Sequence, residues 1–303
     1  MKPLSEFQVE QRRLRVSNLD KVLYPSVDFT KAAVIDYYVR IAPFLLPHLK
    51  GRPLTLRRFP EGVRGEAFFA KNCPTWRPTW LPVVPRWSAH KQGVTNFCLV
   101  NDLPSLVWVA NLASLELHPS LSLASDIERP TVVAFDLDPG PPADLRACGR
   151  VALLLRSMLS GLDLKAFAKT SGAKGLQVYV PLNTPVTYDD TKEFARTLAE
   201  MLERRAPDLV LSNMKKSLRA GKVFVDWSQN DSHKTTVSVY SLRARERPTV
   251  STPVAWSEIE RVDKGAAADR LVFDASQVLD RVNRRGDLFA PVLSLKQRLR
   301  LLH

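Results

Sequence analysis

Asp136 and Asp138 share the run Val-Val-Ala-Phe-Asp-Leu-Asp-Pro-Gly, and Asp226 closes the run Lys-Val-Phe-Val-Asp-Trp about ninety residues later. Both runs are short and apolar, the pattern of buried strands. Side chains at i and i+2 of a strand share a face, so Asp136 and Asp138 point the same way. Carboxylates are rarely buried unless their charge is compensated. Two on one face repel each other unless a cation lies between them. Hard oxygen ligands of this kind suit magnesium or manganese, and two such ions close together serve in-line phosphoryl transfer. Asp-x-Asp also occurs in sugar-nucleotide transferases, in aspartyl-phosphate phosphatases and on plain solvated strand ends. Here Pro139 and Gly140 stop the strand just after Asp138, which places the pair at a carboxyl end, where open α/β sheets bind ligands.

Charge distribution points the same way. The 303 residues carry a net charge of +13. From Leu211 to Val250 eight cations (Lys215, Lys216, Arg219, Lys222, Lys234, Arg243, Arg245, Arg247) face three acids (Asp226, Asp231, Glu246), and Arg52, Arg57, Arg58 and Arg64 form a second cluster. These groups flank expected strands and do not make a tail, which favours phosphate or nucleic-acid binding over a merely soluble basic surface. No apolar run is long enough for a membrane span. The start, Met-Lys-Pro-Leu-Ser-Glu-Phe, has no signal-peptide core, so a cytoplasmic, nucleoid-associated location is expected. Cys73, Cys98 and Cys148 are few, odd in number and far apart. They are read as small core residues, without disulfide or zinc.

The elements that must position these residues follow from periodicity. A lead-in strand, Arg-Leu-Arg-Val, precedes the turn Asn18-Leu-Asp-Lys21. Helices are expected over Lys31–Leu49, over the Leu103–Leu117 repeat that ends at His118-Pro119, from Leu145 to Met158, over Thr187–Arg205 and near Ala275–Val282. Strands are expected over Arg52–Phe59, Thr95–Val100, the Asp136 run, Leu176–Val180 and the Asp226 run. Residues 72–90, rich in proline and tryptophan, read as an ordered surface loop. The order predicts an α+β (α/β) unit with two β-sheets flanked by helices. Residues 1–290 would form the catalytic domain and 291–303 a short basic tail.

Three further groups carry chemistry with open alternatives. Ser171-Gly-Ala-Lys174-Gly175 has the composition of a phosphate-cradling turn, and equally of a plain β-turn. His118 at a helix end beside Pro119 is either a site residue or a helix cap. Arg243 and Arg245 alternate along an expected strand face suited to a triphosphate, or to solvent.

Taken in order, several segments resemble the polymerase domain of bacterial ligase D, of the archaeo-eukaryotic primase superfamily. They are Asn-Leu-Asp-Lys-Val-Leu-Tyr-Pro at 18–25, Trp-Val-Ala-Asn-Leu-Ala-Ser-Leu-Glu-Leu-His at 108–118, Phe-Asp-Leu-Asp-Pro-Gly at 135–140 and Thr-Ser-Gly-Ala-Lys-Gly-Leu at 170–176. Lys-Ser-Leu-Arg-Ala-Gly-Lys-Val-Phe-Val-Asp-Trp-Ser-Gln-Asn at 216–230 and Tyr-Ser-Leu-Arg-Ala-Arg at 240–245 complete the set. The likeness runs from about Val16 to Ile259. It implies a primase-like core with Asp136, Asp138 and Asp226 as ligands of two Mn2+ or Mg2+ ions, and no zinc. It implies nucleotide contacts from His118, Ser171, Lys174, Gln177, Gln229, Arg243 and Arg245. Lys21 and Lys31 would hold a 5′-phosphate at a gap or break, with Arg57 and the aromatic pair Phe68 and Phe69 beside the DNA. Many relatives have histidine at the position of Gln177, which can donate a hydrogen bond but carries no charge.

The resemblance implies template-directed nucleotidyl transfer that fills gaps and extends ends in bacterial break repair, with ribonucleotides favoured. Implied partners are gapped or broken DNA with a 5′-phosphate, nucleoside triphosphates, Ku and a separate ATP-dependent DNA ligase. Two other readings have different requirements. An aspartyl-phosphate phosphatase built on Asp136 would not need Asp226, Arg243 or Arg245. A non-catalytic end-bridging protein would bind DNA without extending it.

Overall fold

A computed structural model describes residues 4–88 and 92–299. His90 and residues 300–303 of the expected tail lie outside the described residues. The chain divides into two units, each assembled from separate stretches.

The second unit (Leu121–Lys234, Val250–Phe273, Asp287–His303) carries the aspartates. Its sheet has the strand order Val210–Leu211, Val223–Asp226, Val132–Pro139, Leu176–Pro181, Phe167–Thr170, Pro253–Val254. All neighbours are antiparallel except the first pair. The two-residue period sorts each strand. Val133, Phe135, Leu137, Val178, Val180, Val223 and Val225 join one buried cluster with Leu155 of the helix Leu145–Gly161 and Leu198 of the helix Tyr188–Arg205. The alternate residues, Asp136, Asp138, Gln177 and Asp226, therefore face away from that cluster. Thr187 caps the second helix through a reciprocal pairing with Asp190, which starts it one residue inside the expected bound.

Two tight approaches fix the Asp136 strand. A Cβ on Gly175 would lie 2.1 Å from the Leu137 carbonyl oxygen, and one on Gly140 would lie 1.9 Å from that of Arg219. Only glycine fits at either place. Asn230, fully buried, clamps the same strand: its Oδ1 accepts from Ala134 N–H at 2.8 Å and its Nδ2 donates to the Ala134 carbonyl at 2.7 Å. Asn230→Ala orphans both backbone groups and should cost about 2–4 kcal/mol, seen as a lower midpoint in urea unfolding. An unchanged midpoint would show that the clamp carries no weight.

The first unit (Met1–Ser120, Thr235–Thr249, Asp274–Gly286) holds a five-stranded sheet. Its strand Leu54–Arg58 pairs with Phe68–Ala70 and with Ser114–Pro119. The helix Lys31–Leu49 begins and ends where periodicity places it, with Thr30 as its cap and Val34, Tyr37, Tyr38, Ile41 and Leu45 buried.

Several expectations are corrected. The Leu103–Leu117 repeat is not one helix: the helix ends at Asn111, Ala113 takes a φ of 56°, and Ser114–Pro119 is a strand that carries His118. His118 is therefore not a helix cap. Residues 72–90 are not all loop, because Val83–Ser88 pairs with Gly93–Cys98. The lead-in strand is a hairpin of Leu4–Val9 and Arg12–Ser17. Arg243 and Arg245 lie in irregular chain, not on a strand. Cys73 and Cys98 form a disulfide, with Cα atoms 5.1 Å apart, and Cys148 is free and buried. An odd count does not exclude one pair, and sequence distance says little about which loops meet on a sheet edge.

Residues 291–299 are tied into the second unit. Gln297 donates from its backbone to the Leu182 carbonyl at 2.8 Å and from Nε2 to that of Pro181 at 2.7 Å, and Asn183 Nδ2 donates to the Leu295 carbonyl at 2.8 Å.

Candidate active site

The aspartates are neighbours across the sheet. Asp136 stands directly opposite Asp226 on one side and Gln177 on the other, and Gln177 stands opposite Lys169. Directly paired residues of antiparallel strands share a face. The register thus makes a row, Asp226–Asp136–Gln177–Lys169, with Asp138 two residues along on the same face.

The electrostatics of this row are unbalanced. Burial, then Asp138 and also Asp226, push the Asp136 carboxyl up to about 7, against lowering by Gln177 and Lys169. Its Oδ1 is buried without a hydrogen-bond partner. A buried anionic oxygen left this way is costly, and a divalent cation would complete it. Asp226 is differently engaged. Its Oδ1 accepts from Ser228 N–H at 2.9 Å and from Ser228 Oγ, and its Oδ2 accepts from Gln229 Nε2 at 2.8 Å. Among the described residues no three His, Cys, Asp or Glu side chains are already gathered at ligating distance. The all-oxygen donor set and the orphaned Asp136 oxygen fit a hard divalent ion.

Lys169 was not singled out by the sequence, and it is almost wholly buried at 1% exposure. Its Nζ donates to Gln177 Oε1 at 2.5 Å and to Ser251 Oγ at 2.7 Å. A lysine can only donate, so the amide oxygen must face it and the Gln177 NH2 turns the other way. Lys169 therefore brings a positive charge beside the neutral Gln177. Lys169→Met keeps the stem but strips a donor from two acceptors. It should lower stability by about 1–3 kcal/mol and slow nucleotide addition more than Ser251→Ala does; equal rates for the two variants would refute the role of the charge.

The turn at 170–176 closes on itself: Ser171 Oγ accepts from the N–H groups of Ala173 at 3.2 Å and Gly175 at 3.1 Å. Lys174 is exposed.

Two more groups form within the first unit. In the first, Glu116, 1% exposed, meets Arg57 Nη1 at 3.3 Å, Arg243 Nε at 3.2 Å and His118 Nε2 at 3.0 Å, and accepts from Ala244 N–H at 3.1 Å. Burial alone would raise its carboxyl, but the His118 hydrogen bond, Arg243 and the Ala244 N–H hold it down at about 2. Burial lowers His118, although Glu116 works against it. Phe69 meets His118 edge-on at 5.7 Å and lies 5.3 Å from the Arg57 guanidinium. Glu116 is thus the organising residue of this group. Its only sequence signal was Glu-x-His, which becomes meaningful once the segment is known to be a strand. Arg245 is exposed and stands outside this group of contacts.

The second group surrounds Lys21 and Lys31. The Lys31 N–H donates to the Lys21 carbonyl at 2.8 Å, so the turn at 18–21 folds onto the start of the helix. Lys31 Nζ donates to the Ser17 carbonyl at 2.6 Å, and Lys21 pairs with Glu61 at 2.7 Å. Burial, then Lys21 and Arg58, lower the Lys31 ammonium to about 8. Both lysines line an open cleft of about 1090 Å3. Phe68 lies over Arg58 at 5.2 Å, so the two adjacent phenylalanines serve different groups.

Comparison with known proteins identifies the family and the fold. The family described as "LigD, primase-polymerase domain" matches residues 30–289. A polymerase domain from Mycobacterium tuberculosis ligase D, solved in complex with DNA, superposes with a TM-score of 0.86 at 38% identity, covering 95% of this chain and 100% of that one. The fold is that of a primase-polymerase domain. Among curated relatives, the multifunctional non-homologous end joining protein LigD of Mycolicibacterium smegmatis is 45% identical over 283 residues, 92% of this chain and 36% of that protein. The bifunctional LigD of Bacillus subtilis is 30% identical, over 90% of this chain and 43% of that protein. The chain belongs to the LigD primase-polymerase domain family. It spans well under half the length of these curated relatives. Among the described residues no helix is long and apolar enough to cross a membrane.

Proposed function

We propose that the protein is a template-directed nucleotidyltransferase that fills gaps and extends ends of broken DNA. The observation that carries this reading is the Asp226–Asp136 cross-strand pair with Asp138 on the same face and an unpartnered Asp136 oxygen. Asp136, Asp138 and Asp226 would hold two magnesium or manganese ions. When bound, these supply Lewis-acid activation of the attacking 3′-hydroxyl and charge neutralisation at the α-phosphate and the departing pyrophosphate. Ser228 and Gln229 fix the Asp226 carboxylate. Lys169 orients Gln177 beside Asp136. Arg243, Arg245, His118 and Lys174 contribute charge and hydrogen bonds to the nucleotide, with Glu116 holding Arg243, Arg57 and His118 in fixed positions.

Lys21 and Lys31 bind a 5′-phosphate on the downstream strand, and Arg57, Phe68 and Phe69 contact DNA. Residues 1–290 supply the chemistry. The cellular setting is end joining with Ku and a separate ligase, in the cytoplasm. The reading is tested by extension of a gapped, 5′-phosphorylated duplex with each ribo- and deoxyribonucleotide, in magnesium and in manganese. Templated addition with a preference for ribonucleotides is expected. No addition with any nucleotide and either ion overturns the enzyme reading in favour of end bridging alone.

A further inference from the structure

The cleft around Lys21 and Lys31 contains an aromatic group for which phosphate binding has no use. Trp76 lines it and is 65% exposed. A tryptophan usually buries most of its large apolar surface, so an indole left in water needs a reason. This one is held firmly. Its ring packs on the buried Trp108 ring at 5.6 Å with a 60° tilt. The chain before it is anchored by the Cys73–Cys98 disulfide and by Cys73 N–H donating to the Asn96 carbonyl at 2.6 Å. The chain after it is closed by Arg77 N–H donating to the Pro74 carbonyl at 3.1 Å and by Arg77 Nε donating to that of Leu81 at 3.3 Å. The other indoles of the cleft are occupied: Trp108 is buried, and Trp80 lies against Arg12 at 5.3 Å.

A rigid, solvent-facing aromatic ring beside cations is how proteins hold single nucleotides, with the base on the ring and the phosphate on the cations. The volume of about 1090 Å3 is ample for a nucleotide and lies at the upper end of ordinary ligand sites. We propose that Trp76 is a stacking platform for the nucleobase of the 5′-terminal nucleotide, so that the cleft takes base and phosphate together. This rests on the reading of Lys21 and Lys31 as phosphate ligands. The stacking contact is indifferent to base identity, since every base offers a π-face. The cleft would thus recognise a phosphorylated end of any sequence while rejecting an end that has lost its base.

The test uses the full chain and gapped duplexes whose downstream strand ends in a 5′-phosphate or a 5′-hydroxyl, each on a normal nucleotide or on an abasic tetrahydrofuran residue. Wild-type protein should bind the base-bearing phosphorylated end about tenfold more tightly than the abasic phosphorylated end. Trp76→Ala should remove that difference, leaving abasic ends unaffected, and Trp76→Phe should restore most of it. Because Trp76 is largely exposed, thermal melts of both variants should match wild type. Equal weakening by Trp76→Ala on base-bearing and abasic ends, or none on either, overturns the stacking proposal. Loss of discrimination between phosphate and hydroxyl ends in wild type would instead overturn the phosphate reading beneath it.

Discussion

Asp136→Asn is expected to abolish nucleotide addition, by about 10³-fold or more, while leaving binding to gapped DNA within about twofold. Asparagine keeps the shape of the side chain and its place opposite Asp226 and Gln177. It removes the anionic ligand at the centre of the row, and single preorganised electrostatic contributors are worth about 10²–10³ in rate even when they are not metal ligands. DNA affinity should persist because it resides in phosphate contacts from the basic groups, and should fall steeply with salt in wild type and variant alike. The same substitution should make the protein more stable in the absence of divalent ions. Asp136 titrates near 7 in the folded chain, above the model-peptide value of 3.8. Folding therefore opposes its ionisation, and the penalty develops as pH rises from about 4 through 7. Asparagine escapes it, so the gain in melting temperature should be largest above pH 7 and vanish near pH 4. A variant that extends primers at near-normal rate sinks the ligand assignment. One that is destabilised at pH 8 in chelator contradicts the account of Asp136 as a strained, uncompensated carboxylate. Sites that trade stability for function behave in this way.

How much of this was legible beforehand follows the range of the interactions. The helix Lys31–Leu49 was readable to the residue because its apolar stripe is local, and the structure adds Thr30 as its cap. Asp136 and Asp138 were placed on one face by the strand period alone, and Pro139 ends that strand where expected. What the pattern could not supply was the partner of each strand. That Asp226 stands opposite Asp136 is a matter of register between segments far apart in sequence. Lys169 looked like one lysine before a turn, yet it is buried through pairing with Gln177 and Ser251. The misreading of His118 has a similar origin. Leu103, Leu106 and Ala110 fit a helical stripe, and Ala113 and Leu117 happen to continue it, but the turn at Ala113 switches the chain to a strand whose alternate residues Glu116 and His118 share a face. Glu116 then becomes the hub that joins Arg57, Arg243 and the His118 ring, a role that no local pattern encodes.

The second large effect concerns the cleft of the first unit and carries a pH signature. Lys21→Ala with Lys31→Met should abolish the preference for a 5′-phosphorylated gap over its 5′-hydroxyl counterpart, which in wild type is expected to be about 10²-fold or more. Two charge-assisted hydrogen bonds at about 1.5–3 kcal/mol each set that scale. Methionine at 31 preserves the packing of a side chain that is only 5% exposed. Binding to the hydroxyl end should barely change, which separates loss of the pocket from loss of the fold. Lys31 titrates near 8, because burial and the neighbouring Lys21 and Arg58 disfavour its charge. It is charged and competent below that value and neutral above it, so in the free protein the phosphate-binding charge is lost as pH rises through about 8, not near the ordinary lysine value of 10.5. A bound phosphate favours the ammonium and moves the loss upward. The measured preference should therefore decline between pH 8 and 10 in wild type. Glu61, paired with Lys21 at 2.7 Å, competes with the phosphate for that lysine, and Glu61→Gln should strengthen the preference at every pH. A preference that is flat from pH 7 to 10, or that survives the double substitution, would show that the 5′-phosphate is held elsewhere.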